Sequence, residues 1–290
     1  MAKADIAALL ALGAALFIAI GDVIHQRTAH QVTDAPVGHA GLFLKLLRER
    51  IWWLGSGVGA IGFALQATAL GLGSVLLVQA ILVTSLLFAL PLSARAAHRR
   101  VTRAEWTWAV LLAASVAIIV TVGNPTAGQA RATTQTWAVV AAVLVPLLIG
   151  CVLAAGRSTG PARAVLLALV SGALWGVFAV LTKGLVELLG AGAGALLRSP
   201  ELYAWVLVAV AGTAWQQSAF RAGAITASLP TMTIAEPLVA SVLGIVVLGE
   251  TLRPGESGWL ILLVAIAMMV IATAALARDE AKAGAAAAAR

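Results

Sequence analysis

The sequence predicts an all-α polytopic membrane protein of about nine transmembrane helices arranged as an inverted repeat, and three observations carry that prediction. Apolar side chains make up 61% of the 290 residues against 11% charged ones, and the mean hydropathy is +1.01, more than a water-soluble domain needs for its core. Several runs approach or exceed the ~18 apolar residues that mark a spanning helix, and they lack the period-two alternation of barrel strands. The basic residues behind the net charge of +7 gather in short loops between those runs, a pattern explained by membrane orientation rather than by nucleic acid.

The apolar segments are Ile6 to Ile24, Ile51 to Leu70, Ser74 to Leu92, Trp106 to Val122, Thr136 to Ala154, Ala164 to Leu189, Leu202 to Phe220, Ile225 to Leu248 and Trp259 to Ala277. The first is longer than a signal peptide's 7 to 15 apolar residues and is read as a spanning helix. Between the first two, GLFLKLLRER has the leucines and basic residues of a short helix lying on the membrane surface. GNPTAGQARATT, 123–134, reads as a turn-rich loop. Arg27, Lys45, Arg48, Arg50, Arg95, Arg99, Arg100, Arg103, Arg157, Arg163, Arg221, Arg278, Lys282 and Arg290 collect on one face, against five basic residues on the other. The positive-inside rule makes the crowded face cytoplasmic, with the N-terminus outside and the C-terminus inside.

An internal repeat follows the same order. GAALFIAIGDVIHQR in the first span resembles GALWGVFAVLTKGL in the sixth, and QATALGLGSVLLVQA resembles QSAFRAGAITASLPT. Spans one to four then match spans six to nine with the fifth as linker, so the second copy enters from the opposite face. Such inverted repeats place solute sites near the midplane between the halves. The expected units are residues 1–122, a linker helix over 123–160, the second repeat over 161–278 and a frayed or disordered tail over 279–290.

The chemistry centres on ITASLPTMTIAEPLVASVLGIVVLGE, 225–250, long enough to span the bilayer yet carrying Glu236 near its middle. A carboxylate at that depth costs at least ~2.5 kcal/mol and so faces protein or water. Pro230 and Pro237 flank it and each removes a backbone donor, the expected helix break of a transporter site. Glu236 is the candidate for substrate binding or proton coupling, since a coupling group must exchange a proton on exposure to each side. The plainer reading is a hydrogen-bonded strut between helices.

Around it, Gln79, Gln217, Gln66, Trp175, Phe178 and Thr231 are the cavity-lining candidates, with Gln79 and Gln217 favoured, although a lone glutamine in a span more often joins helices. Gate candidates are Asp22 and His25 near one end of the first span, and Lys183 and Glu187, which stand one turn apart as an ion pair. Both pairs also read as interfacial, snorkelling groups. Tryptophans 52, 53, 106, 108, 137, 205 and 259 lie at segment ends as interfacial anchors, and Gly55, Gly59 and Gly62 permit close helix approach.

No metal or cofactor is expected. Cys151 is the lone cysteine, and the histidines share no ligand spacing. Paired catalytic carboxylates, a nucleophile triad and a phosphate loop are missing, which argues against an enzyme.

These residues carry a family resemblance. AEPLVASVLGIVVLGETLRPGESGWLILLVAIAMMVIA resembles the closing helices of the drug/metabolite transporter superfamily in its EamA-like branch, and SGALWGVFAVLTKG resembles the opening of that family's second half. RERIWWLGSGVGAIGFALQATALGLGSVLLVQ is more similar to the NIPA-like branch, associated with magnesium transport. The resemblance implies a transporter of ten helices in two inverted halves. This chain departs from it in having no tenth helix after Ala277, as the NIPA-like branch also does, and the first-half counterpart of Glu236 falls near Thr84.

The leading expectation is a secondary transporter of a small solute or metabolite by alternating access, exporting it against protons, in a bacterial cytoplasmic membrane. A magnesium permease and a flippase or scaffold for lipid-linked precursors are the alternatives. Expected partners are a small molecule or ion, the lipid bilayer and a second copy of the chain in a homodimer.

Overall fold

The computed structural model describes residues 2–32, 50–96, 100–222, 225–255 and 258–288. The helices are α1 (Ala2–Val32), α2 (Arg50–Leu72), α3 (Val75–Leu82), α4 (Ser85–Ala96), α5 (Arg103–Thr121) and α6 (Thr134–Arg157), then α7 (Gly160–Gly190), α8 (Ala193–Arg198), α9 (Pro200–Arg221), α10 (Ile225–Leu248) and α11 (Gly258–Ala288). Among the described residues, eight segments are long and apolar enough to cross a membrane, with α3 and α4 forming one of them. The chain is thus an all-α, polytopic membrane protein. The remaining long helix, α9, has 22 residues and matches the others in length, but Glu201, Gln216, Gln217 and Arg221 make it less apolar.

Three local expectations change. The third segment is two helices, separated at Val83 and Thr84, where Thr84 turns its hydroxyl and its N–H onto the carbonyl of Ile81 at 2.6 and 2.9 Å. In contrast, α10 is one helix through both Pro230 and Pro237. Proline still denies the Thr233 carbonyl its helical partner, but packing against α7 holds the helix together. The tail expected to fray from 279 continues α11 as helix to Ala288, as its alanines favour. The surface helix expected within 41–50 lies outside the described residues, Arg50 excepted.

Small residues set the packing. An added side chain at Gly62 would come within 2.9 Å of Ile18, and one at Gly21 within 3.2 Å of the backbone of Gly55 and Gly59, so α1 and α2 run in close contact. At the centre, α7 is buried along most of its length and lies between α9 and α10. Gly172 and Gly176 press on the α10 backbone from Met232 to Ala240, with 2.9 Å from a Cβ at Gly176 to the Glu236 carbonyl. Ser171 Oγ donates to the Gly212 carbonyl of α9 at 3.0 Å. By contrast α6 buries only Ala155, and the apolar flank it leaves matches lipid.

One end of the bundle is tied by loops. Thr126 and Thr251 form an antiparallel bridge, Gln129 N–H donates to the Leu248 carbonyl at 2.7 Å, and Arg253 N–H donates to that of Gly123 at 2.9 Å. Arg131 pairs with Glu201. The connection 123–134 therefore lies over the ends of α9 and α10, and this closed end positions everything that follows.

Candidate functional site

A cavity of about 220 Å³ lies between α1, α2, α7 and α10. From α1 come Ile18, Gly21 and Asp22; from α2, Gly59, Phe63 and Gln66; α7 adds Trp175 and Phe178, and α10 adds Glu236. The glycine contacts explain the placement. They draw α2 onto α1 and α10 onto α7, so the Glu236 side chain projects into the space left between the two pairs. A side chain added at Gly59 would meet open space.

Aromatic rings build one wall. Phe178 stacks on Trp205 at 4.8 Å and meets Trp175 edge-on at 5.1 Å, while Phe63 lies 5.7 Å from Phe178. These rings are fixed from behind. Trp175 Nε1 donates to Gln216 Oε1 at 3.2 Å, and Trp205 Nε1 donates to Thr182 Oγ1 at 2.9 Å.

Glu236 is half-buried, and its carboxyl forms no hydrogen bond or ion pair among the described residues. Asp22 is exposed and marks the cavity's side farther from the closed end.

Within the closed end lies a second charged site that sequence reasoning missed. Lys183 Nζ donates to Glu250 Oε1 and to the Gly73 carbonyl, both at 2.8 Å. Glu250 also accepts from Val75 N–H at 2.7 Å on Oε1 and from Leu76 N–H at 3.0 Å on Oε2. The carboxylate thereby caps the first turn of α3, where unpaired N–H groups favour an anion. Ser74 Oγ accepts from Leu77 N–H beside it. Gly249, at φ +66°, turns the chain after α10 so that Glu250 folds back over Gly244. Lys183 and Glu250 are 4% and 1% exposed. Being five residues beyond Phe178 on α7, Lys183 stands about 7 Å further along the helix.

The cavity thus unites Glu236, Gln66, Trp175, Phe178 and Asp22, and it omits the rest of the expected set. Gln79 is buried on α3 with an Nε2 that has no hydrogen-bond partner among the described residues, and Thr231 is half-buried on α10, outside the lining. Gln217 is exposed, while its neighbour Gln216 faces the wall through Trp175. Lys183 pairs with Glu250 rather than with Glu187, which is exposed. Trp205 belongs to the aromatic wall and not to an interfacial belt. The side chain of His25 lies outside the described residues. Phe63, Ile18 and Gly21 were not anticipated, since an apolar lining residue has no sequence mark that separates it from core.

No protein-family model matches the chain, and no solved structure matches it. An uncharacterized protein of Corynebacterium glutamicum is 39% identical over 276 residues, covering 95% of this chain and 96% of that protein. With identity of that extent along nearly the whole of both chains, this protein belongs to the same family as the Corynebacterium glutamicum one.

Proposed function

We propose that the protein is a secondary transporter of a small solute, working by alternating access and coupled to protons through Glu236. The observation that carries this reading is an acid with no hydrogen-bond or ion-pair partner among the described residues, facing a cavity halfway along the spanning helices, with one end of the bundle tied shut. Intramembrane acids of that kind mark substrate and proton paths.

The packing supports an inverted repeat. The first helix of each expected half packs along the second and against the third, α1 with α2 and α3–α4, α7 with α9 and α10. The fourth helices, α5 and α11, pack on each other, and the linker helix α6 packs on α7. On this reading α9 is the ninth crossing and the drug/metabolite transporter superfamily is the wider family. The distribution of basic residues supports an orientation with the tied end outside a bacterial cytoplasmic membrane and the Asp22 side toward the cytoplasm. The Lys183–Glu250 knot is then the outer closure, which opens when the halves rock.

The test uses Gly59→Cys in a Cys151→Ser background, because position 59 opens on the cavity. A membrane-impermeant maleimide is applied separately to each face of oriented vesicles. The cysteine is expected to label from both faces, and an imposed pH gradient is expected to change the ratio in the wild-type background but not with Glu236→Gln. Labelling from one face only, under gradients of either sign, contradicts alternating access.

A further inference from the structure

We infer that the connection 123–134 is a latch, whose release from the turn after α10 controls opening of the tied end. This names a moving part for the carrier reading above and rests on that reading. The connection leaves α5, the last helix of the expected first half, and crosses to elements of the second. Asn124, at φ +39°, turns the chain over the bundle in a left-handed conformation that asparagine tolerates. Thr126 then exchanges both backbone hydrogen bonds with Thr251, at 2.9 and 3.3 Å, and the two hydroxyls meet at 2.6 Å. Gln129 N–H donates to the Leu248 carbonyl, and the Gly123 carbonyl accepts from Arg253 N–H. Arg131 pairs with Glu201 of α9, and its Cγ lies 3.6 Å from where a Cβ at Gly184 of α7 would stand.

These contacts grip Glu250 from both sides. Leu248 and Thr251 are bonded to the strap, and a Cβ at Gly128 would collide with the Leu248 carbonyl oxygen and stand 2.8 Å from Glu250 N. The strap therefore fixes the backbone of Glu250. That residue's carboxylate in turn holds the first half, through Val75 and Leu76 N–H, to Lys183 of the second. The two layers differ in what it costs to part them. The lower one is closed to solvent, so separating its charges in place strands them in a dry site. The upper one is exposed at Gly128, Gln129, Arg131 and Thr251, and its hydrogen bonds exchange for water at little net cost. The low route to opening lifts the strap first, frees the turn at Gly249, and lets Glu250 leave α3 as water enters.

The test adds Thr126→Cys and Thr251→Cys to the Gly59→Cys/Cys151→Ser protein and reads maleimide on residue 59 itself by peptide mass spectrometry. A hydrogen-bonded antiparallel pair has Cα atoms about 5.5 Å apart, within reach of a disulfide. With the strap oxidised onto the turn, labelling of residue 59 from the tied-end face should fall by about tenfold or more, labelling from the opposite face should persist, and dithiothreitol should restore the first. Arg131→Ala removes a partly exposed pair and should speed tied-face labelling about two- to fivefold. Gly128→Ala pushes the strap off the turn and should also speed it. Labelling from the opposite face shows that each variant is folded. Failure of the two cysteines to cross-link, tied-face labelling that ignores the disulfide, or strap variants that label no faster overturn the latch. Labelling from both faces that is indifferent to the strap sinks the latch and leaves the carrier, whereas one-face labelling of the Gly59→Cys protein sinks the carrier and, with it, the latch.

Discussion

Glu236 lies in the middle of α10 and Glu250 just past its end, and their surroundings are opposite. Glu250 has both oxygens engaged, by an ammonium and two backbone N–H groups, in a site closed to solvent. Glu236 faces a cavity with no protein partner among the described residues. A buried carboxylate whose partners are all fixed is a fastening, because any movement leaves charge unpaired. One that has space and no partner can exchange a proton or a ligand. The residue type is the same at both positions, and the neighbours determine the role.

The largest effect is expected at the fastening. Glu250→Ala leaves the Lys183 ammonium buried without its counter-charge and uncaps α3. Removing one partner of a buried pair costs about 3–5 kcal/mol, a fall in melting temperature on the order of 10 °C at this chain length. Thermal unfolding followed by fluorescence-detected size exclusion measures it. The double variant Lys183→Met/Glu250→Gln should recover at least half of the loss, since no charge is left stranded. A double variant no better than the single one would show that the pair is not what the site depends on.

A smaller effect comes from glycine. A Cβ at Gly244 would stand 2.9 Å from Glu250 Oε2 and 3.4 Å from Val75 Cβ, against a carboxylate that cannot retreat without losing Leu76 N–H. Gly244→Ala should cost about 1–3 kcal/mol, as overpacked positions do. Gly59→Ala meets open space instead and should be neutral, or stabilise by up to ~1 kcal/mol through helix propensity. Equal losses in the same unfolding assay would erase the distinction between a packed end and an open cavity.

These contrasts also mark where the sequence was readable. Fold class and spans follow from composition and run length, which need no partner to be recognised. Glu236 stood out by depth, and Gln66, Trp175 and Phe178 by polarity or size within spans. Glu250 did not, because it stands at the very end of the apolar run, before TLRPGE, where nothing in the sequence marks burial. Its burial depends on backbone 175 residues away. Lys183 was matched to Glu187 because a one-turn spacing is visible in sequence and a partner 67 residues off is not. Gln216 and Gln217 differ by one residue, about 100° of helix rotation, which only tertiary packing resolves. The break at Val83 and Thr84 carries neither glycine nor proline, whereas the two prolines of α10 sit in a helix that neighbours hold continuous.

Glu236→Gln provides the smallest expected change in stability and the sharpest comparison. The amide keeps the shape of the acid, removes a charge from the membrane interior and breaks no bond to another described residue. Stability should therefore stay within about 0.5 kcal/mol of wild type, the range of substitutions that disturb no fixed contact. Glu250→Gln keeps shape equally well but leaves Lys183 without its counter-charge and offers α3 a single acceptor oxygen, so it should lose a large part of the Glu250→Ala penalty. Measured side by side, one chemical change in two places should separate by a few kcal/mol. If instead Glu236→Gln falls as far as Glu250→Gln, Glu236 is itself a fastening, and the cavity is a packing void rather than a site of exchange.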